Sequence, residues 1–168
     1  MANTYKKIET VTVGSGGAAS IAFTSIPQTY TDLKILLSTR SNAANIPDYY
    51  MVSFNGSTSN FTQKGIEGNG ATINSGTGTR EGADFVGNGS TASIFGNTEF
   101  YIPNYTSSNN KAFFCDSVGE NNATTAFQNM VGMTWSNTAA ITSITLTVGL
   151  GTAFVQYSTA ILYGIKNT

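Results

Sequence analysis

Histidine is absent from the sequence. This removes the nucleophile systems in which an imidazole takes the proton from Ser or Cys, and every zinc site that depends on an imidazole ligand. Cysteine occurs once, at Cys115, so an internal disulfide and a thiolate metal cluster are both excluded. Residues 111–118 around it alternate as a strand does, which assigns Cys115 the part of a small buried hydrophobe. Charge is scarce. Asp, Glu, Lys and Arg make up 10% of the chain and the net charge is −1, against about 25% charged residues in an average domain. Such a chain has no electrostatic drive toward phosphates, which argues against nucleic acid as a partner. No basic run exceeds Lys6-Lys7, so there is no polybasic membrane patch. No apolar run approaches the ~20 residues of a membrane helix, and residues 1–9 lack the apolar stretch of a signal peptide. Gly14-Ser15-Gly16-Gly17 lies between two extended runs and reads as a turn, not as a phosphate cradle, which needs a strand before it and a helix after it.

What is present is β-forming. Aromatics reach 11% and hydrophobic residues 40%, with Ser, Thr, Asn and Gly carrying the polar fraction. Disordered chains are poor in aromatics and rich in net charge, so this composition describes a folded protein with a neutral, hydroxyl- and amide-rich surface. At 168 residues with no linker and no repeat, the chain reads as a single domain over 1–168.

Period-two alternation marks runs at 8–13, 20–23, 33–40, 49–54 and 61–67. Asn55-Gly56 is the strongest short hairpin signal in the chain, and it predicts that 49–54 and 61–67 pair. Residues 68–96 are dominated by Gly, Asn, Ser and Thr and read as one long irregular region. Runs at 98–103 and 111–119 are expected to pair across the polar turn 104–110. A further turn at 121–125 leads to runs at 127–135, 141–148 and 154–166. Roughly eight to ten short strands without a helix predict an all-β antiparallel β-sandwich of jelly-roll type.

Paired carboxylates are the first chemistry to weigh. Strand pairing brings Glu99, Asp116 and Glu120 near one another, but Glu99 alternates with Phe100 and Ile102 and Asp116 neighbours Cys115 and Val118, so both are expected to face solvent, as surface charges do. Asp48, Asp84 and Asp116 are oxygen donors of the kind calcium takes, yet no loop has the dense acidic spacing of a dedicated site, so neither a metal nor a cofactor is expected. Aromatic rings flanked by amides are the physical means of holding a sugar. Tyr49, Tyr50, Tyr101, Tyr105 and Trp135 are candidates for contact with a partner or glycan, as is Arg80 in the long polar region. Trp135 closes an alternating run and suits the core equally well. Tyr49 and Tyr50 must point to opposite faces of an extended strand.

The opening Tyr5-Lys6-Lys7-Ile8-Glu9-Thr10-Val11-Thr12-Val13, the block Tyr30-Thr31-Asp32-Leu33-Lys34-Ile35 and the closing Ser158-Thr159-Ala160-Ile161-Leu162-Tyr163-Gly164-Ile165-Lys166 resemble a group of small virion proteins of tailed phages of aquatic bacteria. The Phe54-Asn55-Gly56 turn and Ile141-Thr142-Ser143-Ile144-Thr145-Leu146 fit the same strand-and-turn texture. The resemblance implies a non-enzymatic jelly-roll protein, made in the host cytoplasm and carried on the outside of the particle. Two roles follow from it. One is a capsid cement or decoration protein, expected as a homotrimer, that binds the major capsid protein and copies of itself. The other is a tail or head-fibre module that recognises host surface carbohydrate.

Overall fold

The computed structural model describes residues 4–120 and 126–166; the turn read at 121–125 lies outside the described residues. Among the described residues the strands are β1 (Tyr5–Thr12), β2 (Ser20–Phe23), β3 (Asp32–Thr39), β4 (Pro47–Phe54), β5 (Phe61–Gly68) and β6 (Ile73–Gly78). They continue with β7 (Glu81–Val86), β8 (Gly96–Ile102), β9 (Lys111–Glu120), β10 (Ala126–Trp135), β11 (Ile144–Val148) and β12 (Thr159–Ile165). They pair antiparallel into an eight-stranded sheet, β1-β12-β3-β8-β9-β10-β5-β6, and a four-stranded sheet, β2-β11-β4-β7. With β5, β6, β9 and β10 set aside, the first strand pairs with the last and the second with the last but one. That wrapped pairing is the jelly roll. The four remaining strands all extend the larger sheet beyond β8, doubling its width.

The core lies between the sheets and is built by alternation. In β4, Asp48, Tyr50, Val52 and Phe54 are buried while Tyr49, Met51 and Ser53 are half-buried. Facing them, β3 contributes Leu33, Ile35 and Leu37, β8 contributes Phe100 and Ile102, and β10 contributes Val131, Met133 and Trp135. Tyr50 stacks on Phe85 with ring centroids 4.2 Å apart, and Phe61 stacks on Trp135 at 5.9 Å. Each of those pairs lies within one sheet; across the gap Tyr50 meets Phe100 at 5.7 Å and Phe54 meets Phe113 at 5.0 Å, the contacts that a sandwich buries.

The expected hairpin of 49–54 with 61–67 does not form, although its turn does. Asn55 and Gly56 take φ of +53° and +74°, and Ser57 N–H donates to Phe54 O at 2.8 Å. The two strands then part: β4 pairs with β11 and β7, and β5 pairs with β10 and β6. Asn55 explains the parting. Its Oδ1 accepts from Thr142 N (2.8 Å), Thr142 Oγ1 (3.1 Å) and Ser143 N (3.1 Å), while its Nδ2 donates to Ala140 O at 2.7 Å. The turn is therefore fastened to the segment before β11, and the chain crosses to the other sheet. Phe54 and Phe61 still meet, at 5.5 Å, but across the core instead of side by side on one surface.

Two further expectations are corrected. Residues 68–96 contain β6 and β7, which the polar composition hides because every residue of β6 but Gly78 is exposed and β7 is short. The last strand begins at Thr159 and not at 154: Phe154 is held in bridges to Ala18 and Ser41, and Tyr157 turns the chain with φ +72°. Cys115 is buried, as its strand position requires. The pairing of 98–103 with 111–119 is present as β8 with β9.

Candidate functional site

Two surface features stand out, one where the added β5–β6 pair meets β4 and β7 and one on the outer face of the widened sheet. The first is a polar cleft of about 240 Å³ between the β5–β6 pair and β7, lined by Tyr49, Gln63, Glu67, Asn74, Asp84 and Asn129 among others. Tyr49 reaches it because it points away from the core on β4. Its ring lies over Gly149, where a Cβ would run into it. The loop carrying Gly149 is held from below by the buried carboxylate of Asp48, which accepts from Gly149 N (3.1 Å), Leu150 N (2.8 Å) and Gly151 N (3.1 Å). Asp48 thus spends its oxygens on backbone N–H groups.

Asp84 lies deeper in the cleft. Its carboxyl is pushed up to about 7, first by burial and then by the charges of Glu67 and Asp48. Asn129 Nδ2 donates to its Oδ2 at 3.4 Å. At neutral pH this wall of the cleft therefore holds a carboxyl balanced between its protonated and ionised forms. Asp116 points out from the other face of the large sheet and does not join Asp48 and Asp84. Among the described residues no group of three or more His, Cys, Asp and Glu is placed to hold a metal ion.

The second feature is the outer face of the large sheet. Register sets Asp116 beside Met130, Met130 beside Ile66 and Ile66 beside Ser75, with Val118 beside Gln128 in the next row. Phe114, Val118, Met130 and Ile66 are between 44% and 50% exposed and Ile73 is 82% exposed. These large apolar side chains share one exposed face, with Asp116 standing among them. Its charged border includes Lys34 and Glu99, paired at 2.8 Å.

The residues singled out in the sequence divide between these places and the core. Tyr50, Tyr105 and Trp135 are buried at 0–1% exposure, which takes them off the surface as contacts. Tyr50 and Trp135 occupy inward positions of β4 and β10, where a large ring fills the gap between sheets, whereas Tyr105 lies in the turn between β8 and β9 and is buried with its hydroxyl donating to Pro27 O. Tyr49 lines the cleft. Tyr101 lies half-buried on the outer face, its ring 5.7 Å from that of Phe114, with its hydroxyl donating to Asp32 at 2.7 Å. That bond and burial push its phenol up to about 12. Arg80, half-buried between β6 and β7, donates to Val52 O at 3.3 Å and serves the fold. Glu99 and Asp116 are register partners, as the expected pairing required, and Glu120 instead accepts from Thr91 N and Oγ1 at 2.6 and 2.9 Å.

The apolar band was missed in the sequence, although a signal was there. Phe113-Phe114 puts aromatics on both faces of one strand, and Met130 and Ile66 fall out of phase with the inward residues of β10 and β5. In a strand with one wet face, an apolar residue out of phase points to a second buried surface. Comparison with protein-family models gives no match, and comparisons with curated proteins and with solved structures give none either.

Proposed function

We propose that this chain is a structural virion protein, a capsid cement or decoration protein that binds the outer surface of a phage shell and reinforces it by packing, without catalysis. The observation that supports this most directly is the apolar band on the outer face of the widened sheet, where Phe114, Val118, Met130, Ile66 and Ile73 stand in solvent. The charges on this face are of both signs, Lys34 and Lys64 against Glu99 and Asp116, and a face without net charge suits docking on a repetitive surface, because neighbouring copies repel one another little. Burying such a band across the boundary between capsid subunits resists their separation. The resemblance in strand texture at both ends of the chain points to the same class of protein.

The deciding experiment is occupancy on particles. Capsids purified without tails are expected to carry the protein in proportion to their capsid subunits, and Phe114→Lys with Met130→Lys is expected to abolish that binding. Finding the protein only on tails would overturn the capsid assignment. The fibre reading has one feature in its favour, the cleft in which Tyr49 stands among Gln63, Asn74 and Asn129, an aromatic ring with amides beside it. A glycan array on which binding is lost with Tyr49→Ala would move the proposal to that class.

A further inference from the structure

The two sheets present four free lateral edges, β1, β6, β2 and β7, and they are not alike. An uncovered edge offers unpaired N–H and C=O groups to any other strand, so soluble proteins blunt their edges with charge, bulges, shortness or a cover. β1 carries Lys6, Lys7 and Glu9 and a bulge between Lys7 and Glu9. β2 has only 4 residues. β7 is covered: Gly82, Ala83, Phe85 and Val86 are buried, and its pairing with β4 is broken by a register shift. β6 has none of these protections. Its sequence, Ile73-Asn74-Ser75-Gly76-Thr77-Gly78, contains no charge and no proline, and it pairs with β5 in unbroken register.

We propose that β6 is a homotypic interface, through which two copies of this chain pair antiparallel about a two-fold axis and join their large sheets into one. Three observations make a second copy the occupant. A two-fold perpendicular to the sheet sets residues of the same face opposite each other, so Ile73, Ser75 and Thr77 of one copy meet the same set in the other. No like charges come into contact, because β6 has none and the nearest in its neighbour strand, Lys64 and Glu67, stay one strand back on either side. Ile73, at 82% the most exposed large hydrophobic residue among the described residues, lies on this edge and gains cross-strand neighbours there. The apolar band of each copy then runs on across the axis. Pairing of β6 with the β1 edge of another copy is disfavoured by the charges and bulge of β1, and a head-to-tail contact of that kind builds rings or filaments instead of a closed pair. The interface does not depend on the capsid reading, and it replaces the trimer expected from resemblance with a dimer.

The test is mass in solution, by light scattering over a concentration series, on the wild-type chain and two charged variants. Wild type is expected to reach the mass of two chains. Ile73→Lys with Thr77→Lys, and separately Ile73→Glu with Thr77→Glu, are expected to fall to one chain, and an equimolar mixture of the two variants to return to two. A wild type that stays at one chain, a trimer, or a dimer that persists in each charged variant overturns the proposal. So does a mixture of folded variants that remains at one chain. Should the variants fail to fold, hydrogen exchange on the wild type decides. Amides of Ile73–Gly78 that become more protected as concentration rises support the pairing, and amides unchanged by concentration overturn it.

Discussion

The sulfur of Cys115 in β9 accepts a hydrogen bond from the backbone N–H of Ala83 in β7 at 2.8 Å, tying the added part of the large sheet to the edge strand of the small one. Burial holds the thiol well above its ordinary range, so it stays protonated and unreactive. Cys115→Ala removes the sulfur and leaves a buried N–H without its acceptor, which is expected to cost about 2–4 kcal/mol. Urea unfolding measures the loss. In the native wild type, a thiol reagent is expected to label Cys115 only as fast as the protein unfolds, and immediate labelling would contradict this placement.

Asp84 makes stability depend on pH in the sense opposite to most carboxylates. Its carboxyl titrates near 7 in the fold, against an ordinary 3.8. Between those values the folded chain holds a proton that the unfolded chain has lost, so this group's contribution to stability falls as pH rises. The difference is on the order of 4 kcal/mol across the window. Asp84→Asn cannot ionise and is expected to gain on the wild type steadily from pH 4 to pH 7. Unfolding midpoints that track each other at every pH would refute this.

Asn55 combines a left-handed backbone with a side chain bonded to the 140–143 segment. Asn55→Gly keeps the backbone freedom and loses the bonds, whereas Asn55→Ala loses both. The expected order of stability is Asn, then Gly, then Ala, with the alanine variant down by about 2–4 kcal/mol. Thermal unfolding of the three proteins checks the order.

Arg40 is buried at 4% exposure and donates to four acceptors in one loop: Thr91 O (2.8 Å), Ile94 O (3.0 Å), Ser90 O (3.1 Å) and Asn88 Oδ1 (3.3 Å). Only a planar guanidinium spans such a set. Arg40→Lys keeps the charge but leaves acceptors unserved, and is expected to cost about 2–3 kcal/mol. Faster hydrogen exchange of the amides in 88–94, with the β3–β8 ladder unchanged, is the accompanying signature.

The sandwich was legible because alternation is local. Tyr50, Val52 and Phe54 announce one face of β4, and Phe113 with Cys115 one face of β9, without knowledge of any partner strand. The β4–β5 hairpin was misread because Asn-Gly encodes a turn and not the sheet to which the returning chain belongs; the side chain of Asn55 settled that through residues far along the sequence. β6 was unreadable for a related reason. An edge strand with nothing to bury needs no hydrophobic pattern, and its existence depends on β5 offering a ladder. Of the candidate contacts, Tyr50 and Trp135 are in the core because of the inward phase of β4 and β10, and Tyr105 because the turn between β8 and β9 folds its ring inward onto Pro27 O, which no local pattern encodes.

By itself, the amino-acid sequence determined the β class, the inward residues of its long strands, the burial of Cys115 and the absence of any histidine-based chemistry, because all of these follow from residue type and period two. The tertiary structure alone decided that four strands widen one sheet of a jelly roll, that Tyr49 and Asp84 share a cleft, and that β6 is left as an unguarded edge. Strand pairing joins residues distant in the chain, and its energy lies in contacts that no local pattern contains.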